Sequence, residues 1–320
     1  MTEAVFTAPT DWLPQTQPHP ASGEQHVLTF GSATVRVGSV AAVLREYSIG
    51  DVHFTETWTD EVVAPFGCGI VLTPWPNRVV KGRWDNNGTV EQLDITEPAR
   101  NAALHGLMRN TVYTAMATTE NSVTLSAPIY PQHGYPFTLD TSVTYRLTAE
   151  GLTVTHRLVN IGTGRAPFGL GTHPFLKISS FPTADLRLTS NARTYIAVDE
   201  LLSPVSADPV DGTPSDLRHG PRVGDLDLDT AYTGLDLIDG EHRAVLTAPD
   251  GSSVQMWAEP IFGWQQIFTT DSFPGSGVAV AVEPMTCGID AFNNGNGLLH
   301  LEPGQAFEGS WGIRPVGFPV

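Results

Sequence analysis

Cysteine is nearly missing from this chain: two residues in 320, Cys68 and Cys287, far apart in sequence. A disulfide-stapled scaffold needs more, so two free thiols in a reducing compartment are expected. Cations are scarce as well. Lys and Arg total 17 against 34 Asp and Glu, a formal net charge of −17. Nucleic acids and anionic membrane surfaces demand clustered Lys and Arg, and this composition argues against both as partners. No apolar run approaches the ~20 residues that span a bilayer. The opening stretch, MTEAVFTAPTDWLPQTQPHP, has no basic start followed by an apolar core and does not read as a signal peptide. A soluble, cytoplasmic protein is the expectation. Catalytic signatures are absent too: no G-x-G-x-x-G after a strand, no P-loop and no G-x-S-x-G. His105, His133, His173 and Glu283 are metal-ligand residue types, yet no H-x-H, H-E-x-x-H or paired C-x-x-C spacing joins them, and no metal is expected.

What the chain has in quantity is turn chemistry and alternation. Its 31 Gly and 25 Pro are spread along the sequence, which implies many turns and many short strands. In SVTYRLT, Val143, Tyr145 and Leu147 share one face. AEG then turns the chain, and Leu152, Val154 and Leu158 repeat the pattern. This predicts an antiparallel hairpin with one face buried. HRAVLTAPDGSSVQMWAE reads the same way around its PDG turn. HVLTFGSATVRVGS, NSVTLSAP and ADLRLTS add further strands. No apolar i, i+3, i+4, i+7 spacing runs beyond two or three turns. Strand signals recur from about residue 27 to 313 without a low-complexity linker. The length allows two domains, but the pattern predicts an all-β fold, one large antiparallel β-sandwich over residues 1–320. The first ~20 residues are expected to form an irregular arm, and residues 199–229 a long loop.

Four stretches set titratable residues beside Gly or Pro. Arg78 follows two prolines in TPWPNRVVKG. His105 precedes a glycine in NAALHGLMRN. His173 stands before a proline in FGLGTHPFL, and Glu283 before another in VEP, at the end of the run Val278, Val280, Val282. A histidine and a carboxylate are the pair needed for concerted general acid and base work near neutral pH. Each residue taken alone also has a structural reading: His105 hydrogen-bonded, Arg78 in a surface ion pair, Glu283 capping a turn.

Taken together, PNR, then LHG, THPF, LDTAYTGL (228–235) and VEPMTCGIDAFNNGNGLLHLEPGQ resemble the aldose 1-epimerase (galactose mutarotase-like) family, from about residue 30 to 315. The resemblance implies a large antiparallel β-sandwich, a small-molecule sugar as partner, and no cofactor. It implies Glu283 as catalytic base and His173 as catalytic acid. Arg78 and His105 then hold sugar hydroxyls, and Asp229 is an acidic substrate contact. Trp75, three residues before Arg78 in TPWPNR and so close to the implied site, has two readings, stacking on the pyranose or packing in the core. GTHPFL departs from the Asn-His-x-Tyr-Phe pattern of the best-known branch, so this is a divergent member whose sugar does not carry over. The implied activity is mutarotation of a free aldose, with monomer and dimer both open. Mutarotation of a phosphorylated sugar, a non-catalytic sugar-binding role and a two-carboxylate glycoside hydrolase are the alternatives. The small number of cations weighs against the first, and the acid–base pair against the second.

Overall fold

Alternation becomes strand almost everywhere it occurs. The computed structural model describes residues 19–319, so the arm expected over residues 1–20 lies, but for its last two residues, outside them. The hairpin around AEG is present: Leu139–Thr148 pairs antiparallel with Gly151–Asn160, closing at Thr148 opposite Gly151. Its alternating apolar side chains are buried while Arg146 and Arg157 between them face water. Burying one such apolar side chain contributes about 1.5–3 kcal/mol. The PDG turn joins His242–Thr247 to Ser253–Ala258 as expected. The last strand, Ala306–Val316, lies between the two hairpins and pairs with both, so the end of the chain completes the middle of an eight-stranded sheet.

A second eight-stranded sheet runs in the order Pro204–Pro209, Ala192–Val198, Asp229–Leu235, Trp264–Phe273, Gly277–Met285, Gly171–Thr172, Val71–Leu72. Phe175–Leu176 also pairs with Gly277–Met285. One apolar cluster joins the two sheets, with Val154, Met256 and Ile313 from the first and Tyr232, Ile267, Val280 and Val282 from the second. This is a β-sandwich. Side chains on a strand alternate between faces, and that parity positions the site. On Gly277–Met285, Val280 and Val282 enter the main core. Ala279, Ala281 and Glu283 take the opposite face, where the two alanines pack with Leu72, Phe175 and Phe273.

Helix is confined, among the described residues, to Ala291–Asn294 and short 3₁₀ turns, and no helix is long and apolar enough to cross a membrane. Cys68 and Cys287 are both free and buried. The expected loop over 199–229 is only partly a loop. Pro204–Pro209 is an edge strand on Ala192–Val198, with a register shift near Val198. Most of its residues are exposed, so it has no buried face for alternation to reveal, and its prolines fit an edge.

Candidate active site

Strand pairing assembles one wall of a cavity of about 450 Å³. Gln266 stands directly opposite Glu283, and Phe268 opposite Asp229, on three adjacent strands of the second sheet. His173 sits in the turn between Gly171–Thr172 and Phe175–Leu176. Gly171 pairs with Met285 and Phe175 with Ala281, so the turn straddles Glu283. The imidazole lies flat against the Phe175 ring, 5.3 Å between centroids and 9° apart. Its Nε2 is 3.4 Å from Glu283 Oε1, with both side chains almost wholly buried. Glu283 lies within its strand, two residues before the end, rather than capping a turn.

The opposite wall is held by the closing motif. Asp290 donates its backbone N–H to the carbonyl of Arg78 (2.8 Å) and accepts the Val80 N–H on Oδ1 (2.9 Å). Asn293 Nδ2 donates to Asp290 Oδ1 and to the Arg83 carbonyl. The Asp-Ala-Phe-Asn stretch thus clamps the strand that carries Arg78. Arg78–Val80 pairs with Ala102–Leu104, which delivers His105 at the next position. His105 adopts a left-handed backbone (φ 62°), a conformation that costs a non-glycine residue of order 1 kcal/mol or more. It is fixed by two bonds to Asn77: its N–H donates to the Asn77 carbonyl, and its Nδ1 accepts the Asn77 N–H at 3.2 Å. The neutral ring therefore carries its proton on Nε2. Gly106 must be glycine, because φ is 73° and a Cβ would lie 2.1 Å from the Thr73 carbonyl oxygen.

Arg78 forms a two-pronged pair with Glu97 (2.7 and 3.0 Å) and a longer contact to Asp229 Oδ2 (3.5 Å). Gln266 Nε2 donates to Asp229 Oδ1 at 2.6 Å, and Gln266 Oε1 accepts from Asn77 Nδ2 at 3.0 Å. These bonds join Arg78, Asn77, Gln266 and Asp229 into one network beside the Glu283–His173 pair.

Burial dominates the electrostatics. It pushes the Glu283 carboxyl well above the usual carboxylate range; the Asp229 charge adds to this and Arg78 opposes it. It pulls His173 down to about 4, with a backbone hydrogen bond opposing and Arg78 reinforcing. His105 falls well below 6.5 through burial, then through His173, Arg78 and Arg109. Burial would lower Arg78, but the Glu97 hydrogen bonds and the nearby carboxylates hold it above its ordinary value. In the sugar-free protein both members of the pair are thus driven toward their neutral forms, a protonated carboxyl beside a neutral imidazole. The expected carboxylate–imidazolium pair carries the same single proton on the other partner.

Glu283, His173, Arg78, His105 and Asp229 all line the cavity. Trp75 does not. Of its two sequence readings, the structure shows the core one. Its ring is 3% exposed, packs against Tyr135 and Phe292, and donates Nε1–H to the Ala103 carbonyl at 3.2 Å. The chain bends between the two residues, with Asn77 left-handed (φ 56°), so closeness to Arg78 in sequence carried no direction. The apolar lining comes instead from Phe66, Ile70 and Phe268. Sequence reading also missed Asn77, Glu97 and Gln266. Only Asn77 had a local signal, its place beside Arg78 in PNR. His133 lies outside the cavity, at an exposed contact with Asp94. Among the described residues, no three His, Cys, Asp or Glu side chains converge in a metal-binding group.

Comparison with known proteins bears on the fold and the family. The curated protein YihR of Escherichia coli K12, named as uncharacterized, is 32% identical over 287 residues, covering 89% of this chain and 91% of that protein. A galactose mutarotase-like protein of Clostridium acetobutylicum shares the fold with a TM-score of 0.80 at 16% identity, over 91% of this chain and 94% of its own. Galactose 1-epimerase of Lactobacillus acidophilus does so at 0.72 and 17%, with the same coverages. The family model for aldose 1-epimerase matches residues 53–314, and the chain belongs to the aldose 1-epimerase family.

Proposed function

We propose that the chain is a mutarotase that interconverts the α and β anomers of a free aldose by acid–base ring opening and reclosure. The observation that carries this reading is the buried Glu283–His173 pair, 3.4 Å apart and open to a cavity of sugar size. Opening a cyclic hemiacetal moves two protons. One leaves the C1 hydroxyl as C1=O forms, and one arrives on the ring oxygen as its bond to C1 breaks. Glu283 as carboxylate takes the first and His173 as imidazolium gives the second. The aldehyde turns about C1–C2 and the ring closes from the other face with the roles reversed. No cofactor or metal takes part in these steps.

After opening, Glu283 is protonated and His173 neutral. That is the state burial already favours. The site is therefore matched to the ring-opened intermediate more than to the closed sugar, the kind of difference that accelerates a step. A sugar hydroxyl donating to Glu283 favours the carboxylate and sends the shared proton to His173. His105 Nε2–H and Arg78 donate to the other hydroxyls and Asp229 accepts from them, keeping the reacting groups within transfer distance. The whole chain works as one epimerase unit, in the cytoplasm, on a small sugar.

Polarimetry on freshly dissolved α-anomers of several aldoses tests this. Faster decay of rotation with protein is expected. No acceleration with any aldose or charged aldose would favour a sugar-binding role without catalysis.

A further inference from the structure

The cavity has a charge pattern that a neutral hexose does not require. Ten of the 17 cations have a carboxylate within 4 Å among the described residues. Of the remaining seven, Lys81, Arg83, Arg146, Arg157 and Arg187 are exposed to water. The other two, Arg100 and Arg109, are half-buried, and both line the cavity of Glu283 and His173. We propose that the aldose handled here carries an anionic substituent, and that Arg109 and Arg100 receive it. This rests on the mutarotase reading and narrows its substrate class.

Among the described residues, neither guanidinium has a carboxylate partner. Arg100, at the end of the short turn Pro98–Arg100, donates to the carbonyl of Glu200 at 2.6 Å. Arg109 makes only a 3.5 Å contact with the carbonyl of Leu104. The carboxylates nearby are committed elsewhere, Glu97 to Arg78 and Asp229 to Arg78 and Gln266. Arg78, by contrast, has its charge matched and is left to hold hydroxyls. A cation partly withdrawn from water without a counter-charge is costly, and an anionic ligand removes that cost. The planar guanidinium fork suits a carboxylate or a tetrahedral oxyanion, and hydrogen bonds to ionised groups are the strong ones. The low total of cations, which weighed against a charged sugar at the sequence level, does not bear on the site. Three of the 17 line this single cavity, in a protein of net charge −17.

The contact is made alike in ground and transition state, so it acts on KM more than on kcat. Anomeric exchange is measured by NMR on D-glucose, D-glucuronate, D-glucose 6-phosphate and D-glucose 6-sulfate. The arms separate a planar carboxylate from a tetrahedral oxyanion. At least one anionic sugar is expected to exceed glucose in kcat/KM by ten-fold or more. Arg109→Gln and Arg100→Gln should each lower that anionic-to-neutral ratio by about 10- to 100-fold, mostly through KM. Arg→Lys at either position should restore part of the ratio, which a merely structural role would not do. Acceleration of glucose without preference for any anionic sugar would overturn this inference and leave the mutarotase reading standing. A preference that survived both Gln variants would also overturn it. Failure with all four sugars would sink both.

Discussion

Replacing Glu283 with Gln keeps the shape of the side chain and removes its acidity. The residue is 1% exposed and Gln fills the same space, so neither a cavity nor a steric clash is introduced. Loss of the base should lower kcat about 10²–10⁴-fold, which is about 2.7–5.5 kcal/mol on the barrier. Stability should move the other way. The Glu283 carboxyl is held well above 4.5 in the folded protein, so the folded state binds a proton that the unfolded chain gives up as pH rises past 4.5. Folding loses free energy over that window, from 4.5 up to the raised folded value. Gln has no such loss. The variant should therefore be at least as stable as the parent at pH 7, and the advantage should shrink toward pH 4.5. Polarimetry for turnover and thermal unfolding at pH 5 and 7 measure both sides. The kcat/KM profile of the parent adds a third readout, since the pair titrates as a unit. Its acidic limb should fall near pH 4, as a second proton joins His173, and its alkaline limb should follow loss of the proton from Glu283. Near-normal turnover in Glu283→Gln would refute the mechanism. An inactive variant less stable than the parent at pH 7 would refute the account of burial.

His173→Asn should cost a similar factor in kcat, and combined with Glu283→Gln the losses should add less than fully, because a shuttle lacking one end is already broken; additive losses in the double variant would argue against a shared proton. His105→Ala and Arg78→Ala should raise KM more than they lower kcat, and lost turnover with intact sugar affinity would contradict their positioning role. Trp75→Phe should destabilise by about 1–2 kcal/mol through the lost Ala103 bond and smaller volume, without shifting KM; a KM shift in the folded variant would return Trp75 to the sugar site. His156, buried with Nε2 accepting the Trp311 indole N–H at 2.9 Å, is depressed to about 3, so its contribution is complete above 6.5 and lost as pH falls toward 3. That amounts to about 2 kcal/mol between pH 6.5 and 5, and a His156→Gln variant with the parent's acid sensitivity over that range would contradict it.

Much of this was legible in the sequence, for identifiable reasons. Strands with one wet face declare themselves by alternation, as Val143, Tyr145 and Leu147 do. Glu283, His173, Arg78 and His105 were marked by short motifs holding Gly or Pro, and Asp229 by the family resemblance of LDTAYTGL. Gln266 was not, because its place is set by pairing with a strand some seventeen residues on, and its neighbour Gln265 looks identical in sequence. Gln265 faces the other way and bonds Ser190. Arg100 and Arg109 drew no attention because a charge matters here by what it lacks nearby, which only the folded chain shows. Pro204–Pro209 hid because both its faces are wet.

One wall of the cavity and its rim rest on different kinds of backbone. Glu283, Gln266 and Asp229 stand on hydrogen-bonded strands spaced about 4.8 Å apart, with parity locked by the core behind them. One residue inserted into Gly277–Met285 would turn the carboxyl into the core, so this wall tolerates little drift. Phe66, Gly67, Arg100, Arg109 and Leu202 border the same space from turns and loops, where length and sequence change at small cost to folding. The fold thus separates what must stay fixed from what is free to vary. On the proposed function, sugar choice should follow the rim, and grafting these loops from a relative of different preference should move it while leaving the interconversion chemistry in place.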